Sequence, residues 1–494
     1  MAKAIMIQGT CSNAGKSLFA AALCRVFRED GYRVAPFKSQ NMALNSAVTP
    51  DGLEIGRAQA MQAEAAGIAP DVRMNPILLK PNSDTGSQLV LCGKPVGDYS
   101  AIEYQKKKKE LLSEVLKAYH SLAAEQDIIV IEGAGSPAEI NLRADDIVNM
   151  GLAEAVDAPV ILIGDIDRGG VFAALYGTVK LLSEAEQARI KGLVINKFRG
   201  DIKILEPGLR QIEALTEKPV LGVLPYRHFD LEDEDSLSER LRKTEREADA
   251  LLRIAVIRLP RLSNFTDFDP LQAAPEVALS YVSSPAEIGA VDLLILPGSK
   301  STLDDLAWLK AQGFASCIRD FAASGRPVLG ICGGYQMLGE TLRDKESGVE
   351  AAGLGLLPVD TVFYAAKQTV CAAGTITASS GFWAALAGEK PRGYEIHMGQ
   401  SRMRDGGERF QQLCGRADGC VAGAVCGSYL HGLFDEPGVA ETLLKALAAR
   451  KGLTYPHKLK SRRERQEAGF RLLSQTLREH VDLRELYRIM GVER

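Results

Sequence analysis

Short apolar runs of strand length recur along the chain, each followed by a stretch with apolar residues at helical spacing. In the first half the runs lie at 4–8, 33–37, 127–131, 159–164, 192–196 and 219–224. In the second they lie at 253–259, 292–297, 327–332 and 424–431. Runs this uniformly apolar are the pattern of parallel strands covered on both faces by helices, so the expected fold class is α/β. Between the two series the chain is crowded with charge (Glu232, Asp233, Glu234, Asp235, Glu239, Arg240, Arg242, Lys243) and carries no buried strand. The expected organisation is a first domain over 1–235, a linker over 236–250, a second domain over 251–445 and a helical, charged extension over 446–494. That extension, with Lys458, Lys460, Arg462, Arg463 and Arg465 close together, reads as a solvated helical cap.

Length and charge narrow the classes. A chain of 494 residues exceeds what one core supports. A net charge of −4 argues against nucleic acid or an anionic membrane surface as partner. No apolar run approaches the roughly 20 residues of a spanning helix, and the first strand begins at the N-terminus with no signal peptide before it. The nine cysteines form no C-x-x-C pair, which points to a reducing, cytoplasmic setting. Cys414, Cys420 and Cys426 recur every six residues, but zinc ligands usually come in closer pairs, so these read as small buried apolar residues.

Two stretches carry chemistry. The first strand runs into Gly9-Thr10-Cys11-Ser12-Asn13-Ala14-Gly15-Lys16-Ser17 and then a helix. A glycine-bounded loop between strand and helix offers backbone N–H groups to phosphate oxygens, with Lys16 reaching the β/γ-phosphates and the Ser17 hydroxyl set for Mg²⁺. Five residues separate the glycines where the usual loop has four, so this is a variant. Cys11 occupies the place where partition-type ATPases carry an additional lysine. Glu132 ends a strand and is the expected second Mg²⁺ ligand. Asp165, Asp167 and Arg168 end the next, either as a metal, phosphate or anionic-substrate site or as a loop capped by its own carboxylates. Asn196 ends a third, facing adenine or capping a turn. Lys106 to Lys109 read as a basic patch for an anionic substrate or as a solvated helix face.

In the second half, Gly330-Ile331-Cys332-Gly333-Gly334 places a cysteine at the apex of a strand–turn–helix elbow. The N–H of Gly333 and that of Gly298, in Leu296-Pro297-Gly298-Ser299, are the expected oxyanion donors, and the helix terminus would favour the thiolate. Of six histidines, His431 follows a strand about a hundred residues beyond the cysteine and suits the base. His397 is the competitor, contacting substrate or serving structure.

The string of motifs, GTCSNAGKS, KSQNMALNS (38–46), PILLKPNSDTGSQLVLCG (76–93), VIEGAGSPAEINL (130–142), DIDRGGVFA (165–173), NKFRGD, LPGSKST (296–302), GICGGYQMLG (330–339), GYEIHMG and SYLHGLF (428–434), resembles the cobyric acid synthase family of corrinoid amidotransferases along nearly the whole chain. The resemblance implies an N-terminal P-loop domain similar to dethiobiotin synthetase and a C-terminal domain similar to class I glutamine amidotransferases. It also implies ATP as co-substrate, glutamine as nitrogen donor, Mg²⁺, and a corrinoid partner amidated at its b, d, e and g carboxylates. On this resemblance Gly9, Thr10, Asn13, Ala14, Gly15, Lys16, Ser17 and Asn196 would bind ATP, and Cys332 with His431 would release ammonia.

Two alternatives remain: the related amidation of the a and c carboxylates, and a nucleotide-switched ATPase, against which Cys11 and the Cys332–His431 pair argue. Class I glutaminase domains carry a glutamate two residues after the histidine, and here that position is Leu433. Either another group orients His431, or the imidazole works without a carboxylate.

Overall fold

The computed structural model describes residues 2–82, 85–231 and 250–493. Over these residues the chain forms two compact units, Met1–Met42 with Glu54–Leu231 and Gln466–Arg494, and Ala43–Leu53 with Glu232–Arg465. The charged linker expected at 236–250 lies, apart from Ala250, outside the described residues.

The first unit is built on six parallel strands in the order Val220–Pro225, Ile190–Phe198, Val160–Asp165, Lys3–Gly9, Ile128–Glu132 and Val34–Phe37. All six runs expected there are strands of this sheet. Their carboxyl ends gather the loop after Gly9, Glu132, Asp165 and Asn196 along one edge, where open α/β sheets bind ligands. A second, four-stranded sheet, Gln40–Met42 with Ile77–Pro81, Gly86–Leu91 and Lys94–Ser100, was not foreseen from the pattern.

The chain's end corrects the reading of a solvated cap. Phe470, Leu473 and Leu477 on the helix Arg462–His480, and Leu486, Tyr487 and Met490 on Leu483–Met490, are buried in one cluster with Phe19, Leu23, Val26 and Phe27 of the helix Lys16–Glu29. The rings of Phe27 and Tyr487 lie 5.4 Å apart. Polar residues dominate the helix Arg462–His480 in number, but its apolar minority falls on one face and removes itself from water. Lys106 to Lys109 divide in the same way on the helix Ala101–Ala123: Lys108 is buried, while Lys109 faces Asp145 at 3.5 Å. The run is therefore not a uniform exposed patch.

The second unit's main sheet runs Val277–Val282, Leu252–Ile257, Leu293–Leu296, Val328–Ile331, Val425–Ser428 and Cys420–Ala422, parallel except for the last pair. The edge strand Val277–Val282, diluted by Ala278 and Ser280, escaped the apolar-run reading. So did the long antiparallel pair Val359–Ile376 and Arg392–Met403. Cys420 and Cys426 are buried as expected, but Cys414 is exposed, because it occupies the turn between Gln411–Leu413 and Arg416–Asp418 with φ 47°. Among the described residues no cluster of three His, Cys, Asp or Glu is placed to hold a metal, and no helix is long and apolar enough to cross a membrane.

Candidate functional sites

In the first unit Gly15 caps the helix Lys16–Glu29 with φ +100°, and a Cβ there would stand 2.1 Å from Asn196 Nδ2. Only glycine fits both the dihedral and the space. Asn196 Nδ2 donates to the Ala14 carbonyl at 2.9 Å, and Lys197 Nζ donates to the Asn13 carbonyl at 2.8 Å, so the strand Ile190–Phe198 holds the loop from behind. Thr10 N donates to Ile163 O at 2.9 Å. Gly9 lies where a Cβ would be 3.1 Å from the Lys16 side chain. Lys16 Nζ bridges the carbonyls of Cys11 and Gly135, each at 3.0 Å.

Glu132 is buried and densely bonded. Its Oε1 accepts from Ser17 Oγ and Lys38 Nζ, both at 2.8 Å, and its Oε2 from Gln62 Nε2 at 2.6 Å. A carboxylate has about four acceptor positions, so capacity remains. Hard oxygen donors from one hydroxyl and one carboxylate suit Mg²⁺, which usually takes few protein ligands and completes its shell with phosphate and water. The donor set therefore fits the expected ion.

Asp165 accepts from Asp167 N at 2.9 Å and from Lys197 Nζ at 2.8 Å, capping its own loop. Asp167 pairs with Arg199 at 2.9 Å. Arg168 is largely exposed, its Nε 3.9 Å from Asp165. Lys38, Gln62 and Lys197 were not singled out from sequence. Lys38 opens the KSQNMALNS motif, which was the available signal.

In the second unit Cys332 sits between the strand Val328–Ile331 and the helix Gly333–Leu338 with φ 52° and ψ −107°, a conformation that costs on the order of 1–3 kcal/mol in a non-glycine residue. The following glycines are steric necessities. A Cβ on Gly333 would lie 2.8 Å from Ser299 N, and one on Gly334 2.0 Å from Leu296 O. Cys332 is 6% exposed and its Sγ lies 3.7 Å from Ile396 O.

His431 is fully buried and close enough to Cys332 for the charge of the sulfur to act on its ring. Its Nδ1 lies 2.7 Å from Asp267 Oδ2, and Asp267 Oδ1 accepts from Gly432 N at 3.0 Å. Burial works against a charge on this imidazole, but the Asp267 carboxylate and a Cys332 thiolate outweigh it and raise its pKa to about 10. Tyr394 stacks on the ring at 5.2 Å and pairs with His431 through backbone hydrogen bonds of 3.1 and 2.9 Å. Gly393 permits that approach, since a Cβ would meet His431 O at 1.8 Å. Gly298 pairs with Ser263 and lies against the same imidazole, where a Cβ would be 3.1 Å from His431 Cε1.

Asp267 was missed from sequence. It lies in the turn Phe265–Phe268, which falls between the strands Leu252–Ile257 and Val277–Val282. Polar residues in such a loop were the only local hint. His397 lies nearby, its Nδ1 2.7 Å from Gly399 O and its ring stacked on Tyr429 at 3.8 Å. Burial, with smaller contributions from His431 and Arg416, overrides Gly399 and Glu395 and lowers its pKa to about 4, so it is neutral near pH 7.

Two family models match the chain. Residues 5–237 match the CobQ/CobB/MinD/ParA nucleotide binding domain, and residues 253–439 match the CobB/CobQ-like glutamine amidotransferase domain. The chain is 52% identical to the cobyric acid synthase of Ruminiclostridium cellulolyticum, covering 100% of this chain and 98% of that one. It is 52% identical to that of Photorhabdus laumondii (100% and 99%) and 51% identical to that of Salmonella typhimurium (99% and 99%). With full-length identity of this order and both domains in the same sequence, the chain belongs to the cobyric acid synthase family.

Proposed function

We propose that this chain converts peripheral carboxylates of a corrinoid into amides, spending one ATP and one glutamine on each. The carrying observation is the buried set Cys332, His431 and Asp267 in the glutamine amidotransferase domain. Asp267 holds the Nδ1 hydrogen of His431, leaving Nε2 to take the thiol proton. The sulfur attacks the amide carbon of glutamine, and the N–H groups of Gly298 and Gly333 receive the oxyanion. His431 returns its proton to the departing ammonia, and water then releases glutamate from the thioester.

In the nucleotide-binding domain the substrate carboxylate attacks the γ-phosphoryl group, ADP leaves, and an acyl phosphate forms. Ammonia displaces phosphate from it to give the amide. The loop amides of 10–15 and Lys16 neutralise charge on the phosphates, which requires Lys16 Nζ to exchange a carbonyl partner for phosphate oxygen. Ser17 and Glu132 would hold Mg²⁺, which supplies further charge neutralisation when bound. Asn196 and Lys197 keep the loop in shape from behind.

The substrate proposed is adenosylcobyrinic acid a,c-diamide, amidated at b, d, e and g, and the proposed location is the cytoplasm, whose reducing conditions suit nine free thiols. Mass spectrometry of the diamide incubated with enzyme, ATP, Mg²⁺ and glutamine should show successive acid-to-amide exchanges ending at those positions. Conversion of cobyrinic acid at a and c, with the diamide left untouched, would favour the earlier amidation. ATP hydrolysis indifferent to corrinoid, with no glutamine hydrolysis, would favour a nucleotide switch.

A further inference from the structure

The turn that carries Asp267 makes a second contact with the same imidazole. Asn264 opens that turn, its carbonyl accepting Asp267 N at 3.0 Å, and its Nδ2 lies 3.3 Å from His431 Nε2. Asn264 is buried with φ 52°, a left-handed conformation that asparagine tolerates better than most residues. Its amide can face only one way. Oδ1 accepts the backbone N–H of Ser46 at 3.0 Å, and that group can only donate, so the NH₂ must face the histidine.

Ser46 is engaged at its backbone carbonyl too: it accepts the Tyr394 hydroxyl at 3.2 Å, and the Tyr394 ring stacks on His431. The groups facing this imidazole are therefore the Asp267 carboxylate, the Cys332 sulfur, the Asn264 amide and the Tyr394 ring, with His397 near enough to feel its charge. Two of these are fixed by the backbone of one residue.

We infer that Asn264, oriented by Ser46, is a positioning residue that weakens the thiolate–imidazolium pair, because its amide N–H can donate to His431 Nε2 only while that nitrogen is unprotonated. The inference rests on Cys332 and His431 acting as nucleophile and base. When the Sγ–H bond breaks and its proton moves to Nε2, the nitrogen lone pair is consumed and the Asn264 N–H loses its acceptor. Two donors then face each other. Asp267 and the thiolate favour the charged pair, and Asn264 opposes it by about one hydrogen bond.

The test is the pH dependence of Cys332 alkylation by iodoacetamide in the full-length enzyme, with residue 332 followed by peptide mass mapping. Replacing Asn264→Ala should lower the pH of half-maximal alkylation by roughly half to one unit, the size a single net hydrogen bond confers. Asn264→Asp keeps the volume and the Ser46 bond while turning a carboxylate oxygen toward Nε2, so its midpoint should fall further. It also serves if the alanine variant does not fold. An unchanged or raised midpoint in Asn264→Asp overturns the inference. Glutamine hydrolysis surviving in Cys332→Ala would instead sink the nucleophile reading on which it rests.

Discussion

Asp267 and His431 are 164 residues apart in sequence, yet their side chains meet at 2.7 Å in a buried pocket. The contact places a carboxylate on His431 Nδ1 although Leu433 occupies the place where related glutaminase domains carry a glutamate. If Asp267 orients the base, Asp267→Asn should cut glutamine-driven turnover roughly 10²–10⁴-fold, the span of general acid–base catalysis. Amidation driven by high ammonium salt is the internal control and should persist. A loss of only a few-fold would show that His431 works without it.

Cys332→Ala should abolish glutamine-driven synthesis and spare the ammonia-driven reaction. Lys16→Ala should remove both, because no acyl phosphate forms. Steady-state assays with each nitrogen source separate these outcomes, and ammonia-driven amidation by Lys16→Ala at the wild-type rate would reject the role given to that lysine.

Gly15→Ala places a methyl 2.1 Å from Asn196 Nδ2 at a φ of +100°, so the loop must shift. Nucleotide affinity measured by calorimetry should fall at least tenfold, about 1.4 kcal/mol. Gly393→Ala, 1.8 Å from His431 O, should damage glutamine hydrolysis and leave nucleotide affinity unchanged.

The two site histidines predict opposite pH effects on stability. His431 binds its proton more tightly folded than unfolded, with a pKa raised from 6.5 to about 10. Its contribution is complete below pH 6.5 and is lost as pH rises through 10. His397 is lowered from 6.5 to about 4, so its contribution is complete above pH 6.5 and is lost as pH falls through 4. Thermal melts should show His431→Asn flattening the alkaline side of the profile and His397→Asn the acid side. Parallel profiles for both variants and the wild type would contradict the two shifts.

A chain ending at Arg465 should not fold stably. It would expose the partners of Phe470, Leu473, Leu477, Tyr487 and Met490, each worth roughly 1.5–3 kcal/mol on burial, against a typical total of 5–15 kcal/mol. Cooperative unfolding of the truncated chain near the wild-type temperature would refute this.

The amino-acid order by itself determined what depends on neighbours in the chain. The apolar runs marked the parallel strands, because a strand buried on both faces must be apolar at consecutive positions. The glycines of 9–15 and 330–334 marked the two sharp turns, because positive φ and close backbone approach exclude a Cβ. Lys16, Ser17, Cys332 and His431 were legible through those turns and strand ends. Tertiary structure alone decided the rest. Asp267 and Asn264 reach the two nitrogens of His431, and Ser46 fixes Asn264 from more than two hundred residues away, through contacts with no periodicity to betray them. Lys38 and Gln62 meet on Glu132, and the chain's final helices bury an apolar face against its first, because separation along a chain says nothing about distance once the core has closed.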